Sequence, residues 1–287
     1  MFVNIKISLT WIVTLQVVMS SFSVSVSGSE IKTSIVSSSK GKIEHPVHII
    51  LPDSYSPSNS YITAYVLHGY DGSYKNWVDK TAIEDLADEL NIIIVTPDGS
   101  RDSWYLNTPS AAYANYIVVD IISHVDKYYS TIKQPSGRII TGLSMGGFGA
   151  LYLGIENLDV FGAIGAMSAV VDPRRNYQRI ESLGMSELIG PFLKQPQRWN
   201  ELVIINRLHK IMNRKDKPTI LFDVGVDDTY LEVNRRLHET MLDYKIEHEY
   251  IEREGGHSWS YWDNSIKYQL PTLVGALRSK RNVVKPK

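Results

Sequence analysis

Short apolar runs recur along the chain with room for about one helix between successive runs, and this alternation restricts the fold more than any other feature. Tyr61–Leu67, Ile92–Thr96, Arg138–Thr141, Phe161–Met167 and Pro218–Val224 have the length and apolar content of buried strands. Between and after them, Thr81–Leu90, Tyr113–Tyr129, Gly147–Glu156 and Leu231–Tyr244 show helical spacing. Lys245–Glu252 reads as a further strand and Trp259–Leu270 as a further helix. Strands apolar on both sides must be covered on both sides. The expected fold class is therefore α/β, a mostly parallel central sheet with helices on both faces. Ile31–Ser37 and Pro46–Leu51 are separated only by the turn Ser38-Ser39-Lys40-Gly41, which predicts an antiparallel N-terminal edge. The stretch Asp172–Lys217 breaks the alternation with Pro173, Pro191 and Pro196. It is expected to be a cap-like insertion of short helices and loops over one end of the sheet.

At 287 residues the chain can hold one large domain or two small ones. It has no cysteine, which excludes a disulfide scaffold, a thiolate metal site and a cysteine nucleophile. The net charge is -1, which gives no sign of nucleic-acid binding. That near-neutrality is a cancellation. The last ten residues carry Arg278, Lys280, Arg281, Lys285 and Lys287 and no acid, and the first 27 carry only Lys6, leaving 24 bases against 31 acids. The segment 278–287 is expected to be a solvated basic tail.

Residues 1–29 follow the plan of a secretory signal peptide: an early Lys6, an apolar-leaning run Ile7–Met19, then a Ser/Val-rich stretch with cleavage expected after Ser23, Ser25 or Ser27. The alternative is a short N-terminal anchor, but the run is too short to span a bilayer. Export to the periplasm or medium is the expectation, without stable membrane insertion after cleavage.

Gly142-Leu143-Ser144-Met145-Gly146 is a G-x-S-x-G pattern. Chance alone would produce it in such a chain with a probability of about 0.1, so context has to carry it. An apolar strand precedes it and a small-residue helical segment, Gly147-Phe148-Gly149-Ala150, follows. That is the setting of a tight strand-to-helix turn that thrusts the serine out at the end of a sheet. No Gly-Lys-Ser/Thr follows, which counts against a phosphate loop. A serine needs an adjacent base, and His257, in Gly255-Gly256-His257-Ser258-Trp259 after the last expected strand, stands where such a fold delivers one. His248 alternates with Ile246 and Tyr250 in that strand and reads as packed or superficial; His238 lies mid-helix. The orienting acid should follow the strand Pro218–Val224, where Asp227 and Asp228 compete and Asp223 lies within the strand. Two backbone N–H groups should hold the oxyanion. Met145 follows the serine, and Tyr70 lies in the His68–Ser73 loop after the third strand.

These segments resemble the esterase family of the α/β-hydrolase superfamily that includes esterase D and S-formylglutathione hydrolase, tributyrin esterase, feruloyl and acetylxylan esterases, and the mycolyltransferases. The resemblance covers roughly residues 31–277. It rests on Leu67-His68-Gly69-Tyr70-Asp71-Gly72-Ser73-Tyr74-Lys75-Asn76-Trp77, Pro97-Asp98-Gly99, Ser103-Trp104-Tyr105, residues 142–150 and Gly256-His257-Ser258-Trp259. It implies the α/β-hydrolase fold for residues 30–277, with ester hydrolysis by a Ser144, Asp228, His257 triad. The family's G-x-x-D spacing selects Asp228 over Asp227. It further implies an oxyanion hole at Tyr70 and Met145, no metal and no organic cofactor, and a small-molecule or carbohydrate-linked acyl ester as substrate. Trp77, Trp104, Tyr105 and Trp259 are expected to be candidates for stacking on a sugar ring or cinnamoyl group, with Trp77 equally readable as core. Asp98 is expected to cap a turn. Alternatives on the same scaffold are a thioesterase like S-formylglutathione hydrolase, an acyltransferase, and a carbohydrate-binding hydrolase relative without activity.

Overall fold

A computed structural model describes residues 28–40, 43–212 and 214–284. The expected leader, residues 1–29, lies outside them save for its last two positions, as do Gly41 of the first turn and Lys285 and Lys287 of the tail.

Eight strands form a single sheet: β1 (Glu30–Ser37), β2 (Glu44–Leu51), β3 (Thr63–Leu67), β4 (Ile93–Pro97), β5 (Arg138–Gly142), β6 (Ala163–Met167), β7 (Thr219–Gly225) and β8 (Glu249–Arg253). Their spatial order is β1-β2-β4-β3-β5-β6-β7-β8. β1 pairs with β2, and β2 with β4, antiparallel; every later pairing is parallel. The antiparallel edge follows from the short turn, which can only reverse the chain. The parallel strands follow from the intervening helices, which return it.

Alternation along the strands divides the core between the two faces. Tyr65, Ile140 and Phe222 face a cluster completed by Ile117 and Ile121 of the helical run 113–128, Phe148 and Leu151 of α3 (Met145–Glu156) and Leu237 and Met241 of α4 (Leu231–Asp243). That helical run, α2, carries a π-type segment at Tyr116–Ile121. Ala64, Val66, Ile139 and Leu221 face the other cluster, with Ile83 and Leu86 of α1 (Ile83–Leu90) and Ile266, Leu270 and Leu273 of α5 (Trp259–Val284).

Three expectations are corrected. The last helix does not stop at Leu270 but runs 26 residues through Pro271. A proline inside a helix costs about 3 kcal/mol. Leu273, Val274 and Leu277 beyond it are buried, and each contributes about 1.5–3 kcal/mol, so continuation wins. Arg278, Lys280 and Arg281 therefore lie on a helix rather than in a tail. Arg278 donates to the Leu90 carbonyl at 2.5 Å and Lys280 to the Lys217 carbonyl at 3.0 Å. The last strand begins at Glu249, so His248 precedes it; Lys245, at φ 54°, turns the chain before the strand can start.

The order of the strands also locates the site. From β3 the chain passes to β4 on one side, and β5 then pairs with β3 on the other, with Leu67 opposite Gly142. Such a switch point opens a crevice beyond the carboxyl ends of the strands. His68-Gly69-Tyr70 and the Ser144 turn both leave the sheet there.

Candidate active site

Ser144 sits between β5 and α3 with φ 54° and ψ -114°, a conformation that costs a non-glycine residue strain. Its neighbours make the turn possible. A Cβ on Gly142 would stand 2.6 Å from the Gly146 carbonyl oxygen, and one on Gly146 would stand 2.5 Å from those of Leu67 and His68. Both contacts are with backbone that cannot swing away, so both positions require glycine. The Ser144 N–H donates to the Met167 carbonyl at 2.9 Å and its carbonyl accepts from Phe148 at 2.9 Å, which ties the turn to β6 and to the new helix.

The structure brings the distant residues to this serine. Ser144 Oγ lies 2.9 Å from His257 Nε2, and His257 Nδ1 lies 2.9 Å from Asp228 Oδ2. With the ring proton on Nδ1, His257 donates to the carboxylate and accepts from the serine hydroxyl. The two loops that carry them are stitched together, since Asp227 N–H donates to the Gly255 carbonyl at 3.0 Å and Val226 N–H to that of Arg253 at 2.9 Å.

The choice between the adjacent carboxylates is visible in their surroundings. Asp227 is exposed; Asp228 is buried. Burial alone would raise the Asp228 pKa, yet it is held below the ordinary carboxylate range by His257, by the Tyr230 N–H at 2.8 Å and by the Ser168 hydroxyl. Ser168 Oγ in turn accepts from Trp262 Nε1 at 3.0 Å. Asp223, by contrast, points from β7 to α5. It accepts from Tyr261, Ser265 and Gln269, and burial raises its pKa; it anchors α5 to the sheet.

The Gly69–Tyr70 peptide lies against the serine, for a Cβ on Gly69 would stand 3.5 Å from Ser144 Cβ and 2.6 Å from Leu143 Cδ1. Tyr70 lines the same cleft as Ser144 and Met145 follows the serine, and the N–H groups of both take no partner among the described residues. His68 braces this loop from within the core. Its Nδ1–H donates to the Gly69 carbonyl at 2.7 Å and its Nε2 accepts from Gly99 N–H at 2.8 Å, and burial keeps the ring neutral by lowering its pKa. Asp98 Oδ1 accepts from Ser100 N–H at 2.8 Å, which is the turn cap expected of it.

Of the four candidate stacking residues, only Trp259 borders the cleft. Trp77, Trp104 and Tyr105 are at most 1% exposed. They support the site from behind. Trp77 Nε1 donates to the Leu67 carbonyl at 3.2 Å, Tyr105 Oη to the His68 carbonyl at 2.9 Å and Trp104 Nε1 to the Leu183 carbonyl at 3.0 Å. A buried indole or phenol needs a partner for its polar atom, and here each partner is a carbonyl that sets the end of β3 or the insertion.

The cleft has a volume of about 520 Å3, and Ser144, His257, Gly69 and Tyr70 line it. Sequence reasoning missed Lys80, Tyr230 and Trp262, and it could not place Arg179 and Leu183 of the insertion, all of which also line it. Trp262 had a signal, because it falls one helical turn after Trp259. The insertion residues had none. Among the described residues, no group of three or more His, Asp or Glu is placed to hold a metal ion, and no helix is long and apolar enough to cross a membrane.

Comparison with known proteins gives the family. The profile of the family described as Putative esterase matches residues 38–273. The chain belongs to that family. It is 30% identical over 227 residues to an acetyl esterase of Caldicellulosiruptor saccharolyticus, which spans 73% of this chain and 82% of the relative. Among solved structures it is similar to FphF, a fluorophosphonate-binding serine hydrolase of Staphylococcus aureus, with a TM-score of 0.75 at 22% identity over 86% of this chain and 99% of the other. It is also similar to a ferulic acid esterase, with a TM-score of 0.73 at 23% identity over 87% and 99%. The fold is the α/β-hydrolase fold.

Proposed function

We propose that this esterase-family protein hydrolyses carboxylic esters through an acyl-serine at Ser144. The observation that carries the reading is the hydrogen-bonded chain from Ser144 through His257 to buried Asp228. Ser144 Oγ attacks the ester carbonyl carbon while its proton passes to His257 Nε2. The charge that develops on the carbonyl oxygen is met by the N–H groups of Tyr70 and Met145. Asp228 stabilises the imidazolium. The intermediate collapses as His257 returns the proton to the leaving alcohol, and Ser144 remains acylated. Water then attacks the acyl carbon, gives its proton to His257, and the serine takes a proton back as the acid departs.

A short acyl or feruloyl ester, on a small alcohol or on plant polysaccharide, is the substrate class we favour. The likeness to an acetyl esterase supports the short acyl group, and the cleft has the size of a small-molecule site. The leader-like sequence of residues 1–29 supports export. A panel of acetyl, butyryl and feruloyl esters, on small alcohols and on xylan fragments, tests the substrate class. Turnover must exceed that of Ser144→Ala for at least one member. A panel hydrolysed no faster by the native protein than by that variant would refute the reading.

A further inference from the structure

The cleft lining carries more cationic side chains than carboxylates although the chain outside its ends is acidic. Its lining holds two cations, Lys80 and Arg179, and neither pairs with a carboxylate among the described residues. The one lining carboxylate, Asp71, is already neutralised by Arg101 at 2.8 Å. Exposed cations are common, and exposure alone would say nothing. Their position relative to His257 is what matters.

Arg179, from the insertion, lines the cleft together with Tyr230, and the Tyr230 ring packs edge-on against the His257 imidazole at 5.2 Å. Lys80 lies over the Trp259 ring at 5.7 Å; Trp259 meets Trp262 at 5.4 Å, and Trp262 meets His257 at 4.9 Å. Two aromatic bridges thus lead from His257 outward, and each ends in a cation. His257 is the group that must protonate the departing oxygen, so the alcohol portion of the ester occupies this side of the serine. The half-buried Trp259 offers the alcohol a flat apolar wall.

We infer that the preferred substrate is an ester whose alcohol portion carries a carboxylate, held by Arg179 with support from Lys80. This rests on the hydrolase reading above and deepens it by naming the charge of the alcohol. A guanidinium at the rim of a cleft binds a carboxylate through paired N–H donors while leaving the reacting carbonyl to the oxyanion donors.

The test compares release of acetate from 4-acetoxybenzoate and from methyl 4-acetoxybenzoate, which share the acetyl ester and the aryl ring, the methyl group of the second capping the carboxylate and removing its charge. The quantity read is the ratio of the two kcat/KM values, in which effects common to both esters cancel. Arg179→Ala should lower the ratio about fivefold, mainly through KM for the charged ester. Arg179→Lys should restore part of it, and Lys80→Ala should lower it less. Added salt should lower the native ratio toward that of Arg179→Ala. A ratio unchanged in Arg179→Ala, with both esters still hydrolysed, would overturn the inference and leave the hydrolase reading standing. Failure of the native protein to exceed Ser144→Ala on either ester would overturn both.

Discussion

Replacing Asp228 by Asn separates the orienting acid from its neighbour, and the structure sets the size of the effect. The Asp228 carboxylate faces His257 at 2.9 Å and its side chain is wholly buried. During reaction the imidazole becomes charged. At an effective dielectric of about 20, unit charges roughly 4 Å apart attract by about 4 kcal/mol, or a factor of about 10^3 in rate. The amide adds a second penalty. If its NH2 faces Nδ1, the ring proton moves to Nε2 and His257 can no longer accept from Ser144. The expected loss in kcat is therefore about 10^3–10^4-fold. Asp227→Asn, at an exposed carboxylate that makes no bond to His257, should stay within about twofold. Hydrolysis of p-nitrophenyl acetate, corrected for background, is the assay, with thermal melts to verify that both variants fold. A loss under about tenfold for Asp228→Asn, or a larger loss for Asp227→Asn, would refute the assignment.

Other outcomes follow from the same geometry. His257→Ala should lose several orders of magnitude in kcat, whereas His248→Ala should hydrolyse esters at close to the native rate. His238 and His248 share a hydrogen bond of 2.8 Å, and burial, helped by His238, lowers the His248 pKa from 6.5. A depressed histidine pKa stabilises the fold above the ordinary value, and the contribution is lost as pH falls through the lowered one. Urea melts at neutral and mildly acidic pH should show His248→Ala with the shallower acid-side decline. Gly146→Ala drives a methyl into the Leu67 and His68 carbonyls and should cost about 3 kcal/mol or more, read as a lost thermal transition or lost activity. Trp104→Ala should lower stability by about 3–5 kcal/mol by calorimetry, because the ring fills core. A native-like melt with raised KM would return Trp104 to the cleft wall.

The sheet was legible because each buried strand is a short apolar run and each crossover helix keeps its period; Tyr65 and Val66 face different clusters as alternation requires. The Ser144 turn was legible because steric need for glycine writes itself into the sequence at positions 142 and 146. Loop aromatics were not. Ser103-Trp104-Tyr105 looks like a surface loop until the fold shows that Trp104 and Tyr105, both at positive φ, turn their rings inward to carbonyl partners. The extension of the last helix past Leu270 was not legible, because it depends on burial of Leu273, Val274 and Leu277 beyond Pro271. Arg179 could not be foreseen as a cleft residue, since nothing local tells which short helix of an insertion reaches over the serine.

The central claim is that Ser144 carries the acyl group, and mass spectrometry of the acylated protein tests it most directly. An ester that acylates quickly and deacylates slowly, quenched in acid, should add one acyl mass to the intact chain. Peptide mapping should place that mass on Ser144, and Ser144→Ala should acquire none and turn over no faster than background. Acylation at another residue, or undiminished turnover by Ser144→Ala, would contradict the account.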